Sequence, residues 1–277
     1  VEYCIQHILQ SFINIKKIKM KIIDSFLFFN EIDMLLFRLK ELNDYVDKFV
    51  IVESTHTFSG KKKELTYQNN IELFKDYEDK IQHIFTNNYV ENGTSWEREA
   101  FQRNAIEYGL DVLNLDNDDV VIISDCDEIP NTKILQEIRV NPKMLNFPLQ
   151  INALEQDFYY YNLTSKKKNK WLMSKIVSYE LIKSGCPPQN IRHHYHQIIK
   201  DGGWHFSYFA SPEKIRRKIE SFSHTEFDDE MYKNVTTIEK NIELKQDLFF
   251  RDNEELINCE INEAGLPKYY KMLSNIK

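Results

Sequence analysis

The chain has no surplus of positive charge, no long apolar run, no internal repeat and no paired cysteine motif, and each gap removes a class of protein. Its 36 Lys and Arg stand against 43 Asp and Glu, a net charge of −7. The basic footprint of a nucleic-acid binder is missing, so no nucleic acid is expected as a partner. No stretch approaches the roughly 18 apolar residues that a membrane span requires. Cys4, Cys126, Cys186 and Cys259 form no C-x-x-C pair, which argues against zinc ribbons and thioredoxin-type redox sites. His193, His194 and His196 in "RHHYH" lack an H-E-x-x-H frame and read as structural. "SGKK", starting at Ser59, fails as a P-loop because Thr55 stands where its first glycine belongs.

What is present describes a folded domain. Of 277 residues, 42% are hydrophobic and 13% aromatic, enough to bury a substantial core. Residues 1–19 read as an N-terminal appendage without the small-residue cleavage site of a signal peptide, and residues 20–277 as one domain. With neither leader nor anchor evident, a cytoplasmic location is the expectation, and the sequons at Asn92, Asn162 and Asn234 then carry no weight. The lysines at 61–63 and 166–168 read as solvated loop faces.

Strand and helix signals alternate. "KIIDSFLF" from Lys21 is a strand, and apolar residues at Ile32, Leu35, Leu36, Leu39, Leu42 and Val46 follow at helical spacing. Phe49 to Glu53 is a second strand, Asn70 to Lys80 a helical stretch and Ile81 to Thr86 a third strand. Thr94 and Glu97 make a capping box for a helix running to Gly109. Asp119 to Ser124, "DVVIIS", has the β-branched density of a strand covered on both faces. Aromatic Asp157 to Tyr161, a lysine-rich loop to Lys170 and "GGWHFSYF" from Gly202 come next. Ser211 is the N-cap and Pro212 the first residue of a further helix, and a last helical region spans residues 228–248. Alternation of this kind predicts an α/β fold with a mostly parallel sheet flanked by helices.

The strand at Asp119 runs into "DCDEIP", three carboxylates within four residues. Like charges so close repel, so water must screen them or a cation must sit among them. In extended backbone Asp125 and Asp127 point the same way, and open α/β sheets bind ligands at the carboxyl ends of their strands. Oxygen ligands suit Mg²⁺ or Mn²⁺, and a site with few protein ligands leaves room for phosphate oxygens. The tripeptide alone is a weak signal, since acids are common where loops begin.

Four stretches, "FFNEIDMLLFRLKELNDYVDKFVIVESTHTFSGK", "EAFQRNAIEYGL", "VVIISDCDEIP" and "GGWHFSYFASPEKIRRKIESFSHTEF", follow one another as they do in glycosyltransferase family 17. The resemblance covers about residues 20–250. It implies a GT-A type nucleotide-sugar fold, UDP-N-acetylglucosamine as donor, a divalent metal, a glycan acceptor and inversion at the anomeric carbon.

Carried onto this sequence, the resemblance makes Asp125 and Asp127 the metal and diphosphate pair, with Glu128 beside them. Phe28, Asn30 and Glu31 end the first strand, and Glu53 and Ser54 the second, where GT-A folds hold the nucleoside; Glu53 either meets the donor or caps its strand end. Arg103 and Asn104 either contact phosphate or sugar, or Arg103 pairs with Glu99 one helical turn back. His205 either reaches the metal or is structural, and His224 reads as structural. An inverting transfer needs a base: Glu226 is the expectation, with Asp157 and Glu155 as rivals. Trp171, Trp204 and Tyr159 to Tyr161 offer flat faces for a sugar or belong to the core. Two other classes fit paired acids: a metal-dependent phosphohydrolase and a sugar-binding module without activity.

Overall fold

A computed structural model describes residues 20–87, 90–146, 148–251 and 255–276; the appendage expected over residues 1–19 lies outside them. The strands are β1 Ile22–Leu27, β2 Lys48–Ser54, β3 Ile81–Thr86, β4 Val120–Asp125, β5 Glu128–Pro130, β6 Asn152–Tyr160, β7 Asn162–Lys167, β8 Lys175–Ser178, β9 Gln197–Ser207 and β10 Leu256–Asn258. The helices that build the site are α1 Ile32–Leu42, α2 Ser95–Asn104, α3 Ile106–Asp111, α4 Thr132–Val140, α5 Pro188–His193, α6 Pro212–Ile219 and α7 Val235–Leu244. Among the described residues no helix is long and apolar enough to cross a membrane, and Cys126, Cys186 and Cys259 are free thiols.

Four strands pair in parallel in the order β3-β2-β1-β4. Beyond them the expectation of a mostly parallel sheet fails. β8 runs antiparallel to β4 and to β6, and β7 and β10 continue antiparallel, while β9 lies parallel to β6 and carries β5 antiparallel on its far side. The sheet is therefore mixed. The cause is local: β6 and β7 are separated by Tyr161 alone, at φ 68°, and so tight a connection permits only an antiparallel pair. β7 is the lysine-rich stretch expected as a loop. Its alternation turns Lys167 inward, 3% exposed and 2.8 Å from Asp247.

The parallel strands are covered on both faces, and their two-residue period sorts the core. Ile22, Phe26, Phe49, Ile51, Val120 and Ile122 meet α1 and α4, while Ile23, Val50, Val52, Val121 and Ile123 meet α3 and α5. Each such side chain contributes about 1.5–3 kcal/mol on full burial. The helix expected from Thr94 to Gly109 keeps its capping box but breaks at Ala105 into α2 and α3. Gly109 does not end it; a Cβ there would lie 2.4 Å from Val50 Cγ1, so its smallness lets α3 approach β2. A third cluster, including Tyr160, Ile215, Ile219, Ile238 and Phe249, seats α6 and α7 against the end of β6. Ser211 caps α6 as expected, accepting from the Lys214 N–H.

Candidate active site

β1 and β4 end together, Leu27 beside Asp125, so the acidic segment leaves the sheet at its carboxyl edge. Strand alternation sends Ser124 toward α1 and Asp125 toward α2 and α5. On the α1 side Arg38, fully buried, pairs with Asp24 at 2.6 and 2.8 Å and donates to Ser124 Oγ. Its remaining protons go to the carbonyls of Asp125, Cys126 and Glu128 at 2.8–3.2 Å. One guanidinium thus sets the path of the backbone between the two aspartates. Gly203 holds the next piece: at φ 143°, with no room for a Cβ against Ile129 O, it brings β9 close against β5, which begins at Glu128.

The three carboxylates are each met by a base. Asp125 lies 2.8 Å from Arg103 and 2.5 Å from Arg192. Glu128, fully buried, is gripped by both terminal nitrogens of Arg192 at 2.6 and 2.7 Å, accepts from Trp171 Nε1 at 2.6 Å and from the Asp125 N–H at 3.0 Å. Asp127 lies 2.9 Å from Lys218 and 3.5 Å from His205 Nε2. The repulsion that the sequence posed is relieved by the protein's own cations.

Burial by itself would raise the Asp125 carboxyl, but Arg103 and Arg192 outweigh it and hold it at about 2. Asp127 is lowered in the same way, burial being overcome by Lys218 and His205. A carboxyl depressed on folding stabilises the fold above its unfolded value of roughly 3.9, and that contribution is lost as pH falls through the folded value. Acid titration followed by circular dichroism is expected to show stability falling from about pH 4 toward pH 2, and Asp125→Asn to flatten the curve there. An unchanged curve in the variant would mean that the two arginines do not act through this carboxylate.

Arg103 is 1% exposed, and all three of its nitrogens are engaged, by Gln189, Asp125 and Glu99. The pairing with Glu99 and the link to the acidic segment therefore coexist. Asn104 accepts from the Gln189 N–H and so ties α2 to α5. Glu53 is fully buried, and its carboxylate accepts from the N–H groups of Thr66 and Tyr67, with Lys63 at 3.2 Å and His83 at 3.4 Å. It caps the turn at Thr66–Asn69 rather than facing a cleft. Ser54 Oγ accepts from the His56 N–H, and Phe28 is buried. Asn30 and Glu31 do face a cleft, which Asp127, Tyr208 and Lys218 also line.

His205 Nε2 faces Asp127, and its ring stacks on Phe158 and packs against Trp171. Register then separates the rival bases. Phe158 sits opposite His205 and Asp157 opposite Trp204, so Asp157 and Trp204 point to the other face of β6 and β9. There Asp157 pairs with Lys170 at 2.5 Å and joins Glu155 in a different cleft. Tyr159, Tyr160 and Tyr161 are core. Glu226 is exposed on the turn Thr225–Phe227, 2.7 Å from His224 Nδ1. Its neighbour Ser223 donates to Glu99, and Glu99 pairs with Arg103, so this turn joins the same network as Asp125. His193 and His194 pair with Gln189 and Asn190 one turn back, and His196 Nδ1 accepts from the Ile151 N–H.

Sequence reading missed Arg192, Lys218 and Arg38. Arg192 sits beside the histidines that drew attention, and Lys218 in a run of bases. Arg38 did leave a trace: an arginine at the spacing of Leu35, Leu39 and Leu42 demands a buried acid, and Asp24 interrupts an otherwise apolar strand.

The pattern of glycosyltransferase family 17 matches residues 2–262. The β-1,4-mannosyl-glycoprotein 4-β-N-acetylglucosaminyltransferase of Rattus norvegicus is 31% identical over 121 residues, 42% of this chain and 22% of that protein. The Homo sapiens protein of the same name is 34% identical over 107 residues, 36% of this chain and 20% of its own length. The alignments span about a fifth of these curated relatives. Matched by the family pattern from residue 2 to residue 262, the chain belongs to glycosyltransferase family 17.

Proposed function

We propose that the chain is a GT-A type inverting glycosyltransferase that moves N-acetylglucosamine from UDP-N-acetylglucosamine to a glycan hydroxyl in β linkage. The observation that carries this reading is the family match over residues 2–262, with Asp125 and Asp127 at the carboxyl edge of four parallel strands, beside a cleft. Ligands bind at that edge in open α/β sheets. The donor sugar rests on the names of the two relatives.

One pair of side chains at this edge fits a divalent cation. Among the described residues no three His, Cys, Asp or Glu side chains converge on one point, and both oxygens of Asp125 are taken by arginines. The ion is therefore assigned to Asp127 and His205 in place of the expected pair Asp125 and Asp127. Asp127 Oδ1 and His205 Nε2 stand 3.5 Å apart, near the ~3 Å edge of a coordination octahedron with bonds of about 2.1 Å. His205 Nε2, the ring nitrogen that faces Asp127, would be the ligating one. This pair fits Mn²⁺ or Mg²⁺ with the other positions left to phosphate oxygens and water. Asp125, Asp127, Glu128, Glu99 and Glu31 are at least as many charges as Arg103, Arg192 and Lys218, so the network has no positive excess for a diphosphate. A bound cation would supply that compensation.

Asn30 and Glu31 line the donor cleft, and Arg103 and Arg192 hold the acidic segment in position for it. Glu226 takes the acceptor proton; its carboxyl is lowered from the usual value, a small desolvation effect being outweighed by the hydrogen bond with His224. The test is a screen of nucleotide sugars with Mn²⁺, reading released nucleotide and product anomer by NMR. Turnover of UDP-N-acetylglucosamine to a β product is expected, and Glu226→Gln should cut turnover by ~100-fold or more at near-normal donor affinity. Turnover of a GDP-sugar alone would overturn the donor, and an α product would overturn the mechanism.

A further inference from the structure

Among the described residues Arg103, Arg192 and Lys218 are the Arg and Lys side chains paired with Asp125, Asp127 and Glu128, and two of them are spent. Arg103 and Arg192 are 1% and 3% exposed, locked between α2, α5 and the acidic segment. Lys218 differs. Its side chain is 30% exposed, lies over the Tyr208 ring at 5.5 Å and lines the cleft shared by Asn30, Glu31 and Asp127. Its ammonium is 2.9 Å from Asp127 Oδ2 and 3.9 Å from Glu31 Oε1. It stands on the last turn of α6, whose start is capped by Ser211 and whose inner face is anchored by Ile215 and Ile219. A flexible four-carbon stem on a fixed helix lets the charge move while its base stays put.

We propose that Lys218 is a catalytic residue that exchanges partners, bound to Asp127 in the free protein and to the diphosphate of the donor in the complex. This rests on the donor reading above. In the transfer the acceptor oxygen bonds to the anomeric carbon as the bond from that carbon to the β-phosphate oxygen breaks. The bonding pair stays on the phosphate oxygen, and the acceptor proton goes to Glu226. Lys218 keeps its protons and donates one to the anionic phosphate, a hydrogen bond that strengthens as charge develops. In leaving Asp127 it would free that carboxylate to hold a divalent cation together with His205, so Lys218 would oppose such a cation in the free protein.

One substitution should therefore move two affinities in opposite directions. With saturating Mn²⁺, calorimetry on the full chain is expected to show UDP binding weakened about 10-fold or more in Lys218→Met. Without nucleotide, electron paramagnetic resonance should show Mn²⁺ binding tightened about 3-fold or more, because a competing positive charge has gone. Lys218→Gln should repeat both changes, and Lys218→Arg should retain most UDP affinity. Equal UDP affinity in wild type and Lys218→Met, or weaker Mn²⁺ binding in the variant, overturns the exchange while leaving the donor reading standing. A wild-type protein without affinity for UDP instead sinks the donor reading, and this assignment with it.

Discussion

Asp127→Asn is expected to lower turnover by about a thousand-fold while the protein stays folded. Asp127 is the carboxylate of the segment that the cleft and the His205 nitrogen share. An asparagine keeps its shape and can still accept from Lys218, which is partly exposed and so tolerates the loss of a counter-charge. What disappears is the negative oxygen that, in the proposed function, would hold a cation against a diphosphate. The variant should melt near the wild-type temperature, and EDTA should weaken UDP binding in the wild type far more than in the variant. Turnover within 10-fold of wild type, or UDP affinity indifferent to EDTA, would remove Asp127 from the metal role. Asp125→Asn is a different experiment, because Asp125 spends both oxygens on arginines and acts by holding α2 and α5 to the strand end.

Arg38→Met is expected to cost about 3–5 kcal/mol of stability, since it leaves the Asp24 carboxylate buried without its partner. Neither side chain of that pair reaches water. The same change leaves the carbonyls of Asp125, Cys126 and Glu128 without their donor, and an unmade buried hydrogen bond carries its own desolvation cost. For a chain of this size the melting temperature should fall by about 6–20 °C. Urea unfolding gives the free energy directly. Adding Asp24→Leu to Arg38→Met should recover part of the loss, because the uncompensated charge is then removed as well. A cost below about 1 kcal/mol would show that the turn holds its path without Arg38.

The sequence alone determined the parts of this molecule that depend on neighbours along the chain. Apolar spacing located α1, a β-branched run located β4, the Thr94 and Glu97 pair marked the start of α2, and Ser211 with Pro212 marked α6. A run of apolar residues ending in acids also put the D-x-D segment at a strand end. These are readable because backbone periodicity and capping act over a few residues. What decided the site acts over distances that no local pattern records. Arg38 reaches the acidic segment from 87 residues away, Arg192 from 67 and Lys218 from 91. Before the chain folds, a base destined for a buried carboxylate looks like any solvated one, so Lys167 in a lysine run gave no sign of burial. Glu53 ends a strand just as Asp125 does, yet one caps a turn and the other meets two arginines. Only the packing of α2, α5 and α6 around the sheet separates them, because a charge's role is set by which opposite charges share its low-dielectric surroundings.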